Sequence, residues 1–150
     1  MSIPQSASNE PNLIHLLHRA SQFADALFER SAPNASLTAR QLVVLDAIAA
    51  LDDPSQTEIC KHCGIDRSTL ADIVRRLVNR KLVTRRRTRE DARRYALRLT
   101  AEGTEQLQNN RPALQAVDRQ IAALVSPREQ RALLDALIEI GKAADELAAG

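Results

Sequence analysis

The chain is short of the residues from which most active sites and most base-stacking platforms are built. Its 150 residues include no tryptophan, one tyrosine, two phenylalanines, one methionine, two cysteines, three histidines and four glycines. No glycine-rich phosphate loop, no carboxylate pair in a strand context and no nucleophile–base arrangement is visible, so an enzyme finds no support and no cofactor is expected. Phe23, Phe28 and Tyr95 are the only aromatics, and the two phenylalanines fall on the first helix, which leaves single-strand or RNA binding without stacking surfaces. The longest apolar stretch, Leu42 to Leu51, is interrupted by Asp46, and no charged segment followed by an apolar run opens the chain, so neither a membrane span nor a signal peptide is expected. Cys60 and Cys63 are too few and too close to staple a secreted fold, and a cytoplasmic location follows as the default.

What remains is an ordinary globular composition, 44% hydrophobic, fitting one domain over residues 1–150 behind a polar opening, Met1 to Asn12, that reads as disordered. The net charge of +2 hides a sharp segregation. Residues 66–98 hold twelve Lys or Arg against four Asp or Glu, a local balance of +8, while the remainder holds nine against fifteen, a balance of −6. A basic island in an acidic chain is the footprint of a polyanionic partner.

Helical periodicity runs from Pro11 to Arg30 through Leu13, Leu16, Leu17, Ala20, Phe23, Ala24 and Leu27, with Pro11 suited to a first turn. Thr38 with Gln41 forms a capping box ahead of a second helix that ends at Asp52-Asp53-Pro54, and Ser55 with Glu58 repeats the device for a two-turn third helix stopped by Gly64. Asp66 can cap a fourth helix with an inner face of Leu70, Ile73, Val74 and Leu77. The period then changes to two: Leu82 to Arg87 and Arg94 to Leu99 read as strands, the second alternating Tyr95, Leu97 and Leu99 with Arg94, Ala96 and Arg98, around a hairpin tip at 88–93. Thr100 caps a fifth helix running to about Val125, which Arg111-Pro112 is expected to kink or split, and Ser126-Pro127 with Glu129 opens a sixth with a broad apolar face.

The expected fold class is therefore mainly α with a small β-wing: a winged helix-turn-helix region over 38–99, flanked by helices at 12–30 and 101–148 that are apolar over wide stripes, as expected of faces buried by a second copy. A helix about 12 Å across fits the major groove of double-stranded DNA, where base edges carry a unique donor–acceptor pattern. Arg67, Ser68, Thr69 and Asp72 stand at the reading end of the fourth helix, Arg75 and Arg76 one turn on, and Arg86 and Arg94 on the hairpin. The competing reading is a weakly specific, basic nucleic-acid-binding protein.

The chain resembles the MarR (multiple antibiotic resistance) transcriptional regulators from Leu13 to Leu147. The resemblance is carried by Leu37 to Leu45, by Asp66-Arg67-Ser68-Thr69-Leu70, by Leu77 to Val83, and above all by Asp91-Ala92-Arg93-Arg94-Tyr95-Ala96-Leu97-Arg98-Leu99-Thr100-Ala101-Glu102-Gly103. It implies a homodimer that presents two reading heads to a pseudo-palindromic operator, represses transcription and releases DNA on binding a small effector. It also implies that Asp91 orients a wing arginine, Arg93, into the minor groove, where negative potential concentrates. One departure is Lys81, where relatives carry glycine; a positive φ there costs on the order of 1 kcal/mol in lysine.

In such regulators an effector pocket lies between dimerisation helices and reading head, and His15, His18 and Arg19, with Arg40 as a weaker candidate, offer imidazoles and guanidinia that can clamp the carboxylate of an anionic aromatic effector, such as an aromatic acid or its thioester. Their alternative is as plain surface or interface polar groups. Cys60, His62 and Cys63 make a poor metal site, because on a helix residues 60 and 63 share a face and 62 points elsewhere. Packing accounts for both cysteines; a thiol sensor is the alternative.

Overall fold

The computed structural model describes residues 12–91 and 93–149. Six helices and one hairpin follow in the order α1 (Leu13–Ser31), α2 (Ala39–Ala50), α3 (Gln56–Cys63), α4 (Arg67–Asn79), β1 (Val83–Arg87), β2 (Tyr95–Leu99), α5 (Ala101–Ala122) and α6 (Pro127–Ala149). Most of the polar opening and Pro11 lie outside the described residues. Asn12, which composition places with that opening, instead caps α1, its side chain accepting from the Ile14 N–H at 3.0 Å.

Each helix starts where its capping residues dictate. Thr38 and Gln41 bond reciprocally at 3.2 and 3.0 Å, and Ser55 and Glu58 at 3.3 and 2.7 Å, so both capping boxes close. Ser126 and Glu129 do the same for α6, with Pro127 at the first helical position. Gly64 ends α3 at φ 62°, a left-handed conformation in which glycine carries no Cβ clash. Leucine, isoleucine and valine side chains from α2, α3, α4 and the strands form the core, among them Leu42, Leu45, Ile59, Leu70, Val74, Leu77, Leu82 and Leu97, with Phe28 of α1 and Leu107 and Val117 of α5 closing it.

Two expectations are corrected. Pro112 does not split α5: the helix runs unbroken from Ala101 to Ala122, with Pro112 on its exposed side. The alternation along β2 also fails at its outer end, since Tyr95 is exposed and Ala96 is buried. The hairpin pairs Val83 with Leu99 through Arg87 with Tyr95, and at its outer end the exposed Tyr95 ring lies against Arg87. Near the base a second neighbour lies along β2: the Leu97 N–H donates to the Pro54 carbonyl at 2.8 Å, and Ala96 shares a cleft with Asp52, Asp53 and Glu58.

The end of α4 is a Schellman closure. The Leu82 N–H reaches back to the Leu77 carbonyl and the Lys81 N–H to that of Val78, both at 2.9 Å, with Lys81 at φ 61°. Thr100 then ties the start of α5 to the same place, its N–H bonding the Leu82 carbonyl at 3.0 Å and its hydroxyl that of Lys81 at 2.8 Å. Gly103, buried in the first turn of α5, lies so close that a Cβ would overlap the Leu82 carbonyl oxygen.

Two apolar faces are left uncovered by the described residues. Leu13, Ile14, Leu16, Leu17 and Phe23 of α1 are exposed, as are Leu133, Leu134, Leu137, Ile138 and Ile140 of α6, and Leu147 is 86% exposed. No residue of α6 through Leu147 is buried, so that helix gains almost nothing from its own chain. No helix among the described residues is long and apolar enough to cross a membrane.

Two substitutions test this junction. Gly103→Ala should lower stability by about 1–3 kcal/mol, the usual scale of overpacking, while Lys81→Gly should raise it by about 1 kcal/mol by removing the left-handed strain. Urea unfolding of the two variants beside the parent measures both.

Candidate nucleic-acid interface

Helices α3 and α4 meet through Gly64, Ile65 and Asp66, and the local chemistry at Asp66 sets how α4 begins. One Asp66 carboxylate oxygen accepts from the Thr69 N–H at 2.9 Å and from the Ser68 hydroxyl at 2.7 Å. Bonds from Thr69 and Ser68 hold that carboxyl well below the usual carboxylate range, so it stays ionised and favourably placed at the positive end of the helix dipole. Ser68, expected at the base edges, is thus oriented by Asp66, while Arg67 beside it is exposed and makes no side-chain bond to any described residue.

One turn further, Asp72 is flanked by two arginines. Arg75 bonds one of its oxygens and Arg76 the other, the latter at 2.9 Å, and the Arg75 and Arg76 bonds push its carboxyl below its ordinary value. Asp72, expected to meet DNA, is therefore engaged within its own helix and pre-orients two guanidinia on the exposed side of α4, opposite the buried Leu70, Ile73, Val74 and Leu77. Arg80 at the helix end turns elsewhere, donating to the carbonyl and hydroxyl oxygens of Ser36 at 2.7 and 2.8 Å and fixing α4 to the α1–α2 turn. Neither the Arg80 bond nor that between Arg111 and Asp46 is legible in the sequence, since the partners are 44 and 65 residues apart.

The wing tip is a closed turn. Thr88 and Arg94 share a backbone bond of 3.0 Å, the Thr88 hydroxyl donates to the Asp91 carbonyl at 2.8 Å, and the Asp91 carboxylate accepts from the Arg93 N–H at 2.9 Å. Asp91 thus sets the Arg93 backbone, and among the described residues the Arg93 guanidinium makes no bond. Ala92 between them lies outside the described residues. Arg86 is exposed on β1, and Arg87 lies across Tyr95 with its guanidinium carbon 5.7 Å from the ring centre. Arg94, grouped with the hairpin contacts, is directed back to Glu58 at 2.6 Å.

The candidate effector residues are not assembled within one chain. Arg40 lines a pocket of about 450 Å³ under the α1–α2 turn with Phe28, Ser36, Thr38, Asp25 and Glu29. His15, His18 and Arg19 sit on the exposed part of α1, toward its N-terminal end, and are not among the residues that line that pocket. Cys60 and Cys63 are half-buried and unpaired, and burial pushes both thiols up, which leaves less thiolate for redox chemistry.

The geometry has counterparts. The MarR family model matches residues 35–94, from the α1–α2 turn to the wing. The chain is 31% identical over 120 residues to the HTH-type transcriptional repressor NicR of Pseudomonas putida, a match covering 80% of this chain and 76% of NicR. It is similar to BpsR of Bordetella bronchiseptica, in a structure concerned with regulation of its DNA binding by 6-hydroxynicotinic acid, with TM-score 0.78, 29% identity, and 86% and 92% of the two chains covered. It is similar also to the transcriptional repressor CouR bound to a 23-mer DNA duplex, with TM-score 0.74, 28% identity and the same two coverages.

The Asp66 cap carries a pH signature. A carboxyl depressed in the folded state contributes stability above its unfolded value and loses it only as pH falls through the folded one. Asp66→Ala should therefore lower the thermal midpoint at pH 7, Asp66→Asn should restore most of it, and the gap between parent and Asp66→Ala should close as pH falls through the acid range. Thermal melts by circular dichroism across pH 2–7 check this.

Proposed function

The chain belongs to the MarR family, and from that premise we propose that it is a ligand-responsive transcriptional repressor that binds a pseudo-palindromic DNA operator as a homodimer and leaves it when a small anionic aromatic effector binds. The observation that carries this reading is the pairing of a capped helix bearing exposed Arg67, Arg75 and Arg76 with an adjoining wing bearing exposed Arg86 and Arg93. Residues 38–99 form the reading region; Arg67, Ser68, Thr69, Arg75 and Arg76 face the major groove, with Asp72 orienting the last two. Arg93, its backbone set by Asp91, enters the minor groove, and Arg86 meets the phosphates.

Residues 12–30 and 101–148 dimerise. The exposed leucines and isoleucines of α1 and α6 support this, because apolar faces of that extent are otherwise rare on a monomer. The effector is held by Arg40 in the pocket under the α1–α2 turn and by His15, His18 and Arg19 on the part of α1 that a second copy brings close. Relatives support the class of ligand and of partner: BpsR is regulated by 6-hydroxynicotinic acid, and CouR is a repressor seen on a duplex. The protein acts in the cytoplasm and performs no catalysis.

Two measurements decide the reading. The operator should bind roughly a thousandfold more tightly than random duplex at the same salt, and Arg93→Ala should weaken binding and reduce the salt slope by about one charge. Equal affinity for operator and random duplex would instead support a weakly specific binder. Titration with small aromatic acids should release the parent from DNA, with the midpoint rising at least severalfold in Arg40→Ala and in His15→Ala/His18→Ala; unchanged midpoints in both would remove these residues from effector recognition.

A further inference from the structure

Two arginines of the hairpin reach back to the entry of α3. Arg94, just before β2, donates from Nη2 to Oε2 of Glu58 at 2.6 Å and lies 3.4 Å from the Ser55 hydroxyl. Arg98, within β2, grips Asp53 with both Nε and Nη2. Between them the Leu97 N–H bonds the Pro54 carbonyl at 2.8 Å. All the acceptors lie between Asp53 and Glu58, in the turn and first helical turn that lead into α3. One strand of the wing is thus fastened at three points to the element that packs against the reading helix.

The fastening does little for the fold as a whole. Both ion pairs are about half exposed, and such pairs contribute little to global stability. A two-stranded hairpin, however, is marginal on its own, and outward from its buried base residues Val83, Ala96 and Leu97 its orientation depends on what it is tied to. Three ties join it to the entry of α3.

We infer that Glu58 and Asp53 are positioning residues that hold the wing, through Arg94 and Arg98, at the angle from which wing and reading helix engage one duplex together. The inference rests on the duplex-binding reading. It removes Arg94 from the set of DNA contacts and separates the two wing arginines that are ion-paired to the entry of α3, Arg94 and Arg98, from Arg93 at the tip, which has no ion pair among the described residues. It also accounts for two carboxylates beside a surface meant for phosphate: each is matched by one guanidinium, so the geometry is fixed without adding repulsion. The Ser55 N–H and Arg94 lower the Glu58 carboxyl to about 2, so it is ionised wherever DNA binding is measured.

The substitutions that test this preserve the backbone. Gln serves as well as Glu at the third position of a capping box, so Glu58→Gln keeps α3 capped while removing the charge. Asp53 sits at φ 45°, which Asn also tolerates. In the full-length protein, Glu58→Gln and Asp53→Asn should each weaken operator binding by roughly fivefold, the scale of one exposed pair, with the slope of affinity against salt unchanged because no phosphate contact is lost. Arg94→Ala should match Glu58→Gln, and combining the two should add nothing. Amide hydrogen exchange over residues 83–99 should quicken in Glu58→Gln/Asp53→Asn without DNA.

Unchanged exchange would overturn the inference. So would Glu58→Gln binding as tightly as the parent or tighter, or Arg94→Ala lowering the salt slope by about one, since either would make Arg94 a phosphate contact. If the parent shows no preference for any duplex, the duplex-binding reading fails, and the exchange measurement still decides whether the ties hold the wing.

Discussion

The two-residue segment Lys81-Leu82 is where the reading head is held together. It closes α4 through the carbonyls of Leu77 and Val78, opens β1, and accepts the first turn of α5 through Thr100 and the bare face of Gly103. Reading helix, wing and the helix leading to the dimer face therefore meet within two residues. A conformation that lysine adopts only under strain is retained at that point. The surrounding bonds over-determine it, and buried Leu77 and Leu82 supply the apolar contact that accompanies such a closure.

Around this junction the chain separates its two kinds of surface. Basic groups gather on α4 and the hairpin, and exposed apolar groups on α1 and α6, so the elements that suit a polyanion are not those that suit a second copy. The link between them runs through α5, which starts at the Leu82 carbonyl and packs on α1 and α2. A change in how two copies sit together would thus reach the reading helix through packed helices, with the Arg80–Ser36 bond tying the far end of α4 to the turn that lines the Arg40 pocket. That arrangement suits a regulator in which effector and DNA compete for two settings of one framework.

Local chemistry is legible in the sequence and long-range pairing is not. The capping boxes at Thr38 and Ser55, the Gly64 stop, the Asp66 cap and the change of period after Asn79 depend on residues within a turn of one another, and all appear where the pattern puts them. Pro112 misleads as to a split in α5, because a proline on the exposed side of a long helix is accommodated without ending it. The β2 alternation misleads because a period-two pattern assumes two uniform faces, whereas Tyr95 and Leu97 on one face are exposed and buried, and Ala96 on the other is buried beside Asp53 and Glu58. Most elusive are the arginines. Composition marks every arginine of residues 66–98 as a candidate for phosphate, but Arg80, Arg94 and Arg98 are committed to partners 36 to 45 residues away. Only the fold tells a held guanidinium from an open one.

Whether two reading heads address one duplex decides the rest. Selection of bound fragments from a pool of random duplexes, followed by sequencing, measures this directly and requires no operator to be chosen in advance. A homodimer of this architecture should return an inverted repeat whose half-sites are centred about one helical turn apart, near 10–10.5 base pairs. Recovery of a single unpaired half-site, or of no consensus above the starting pool, would contradict it.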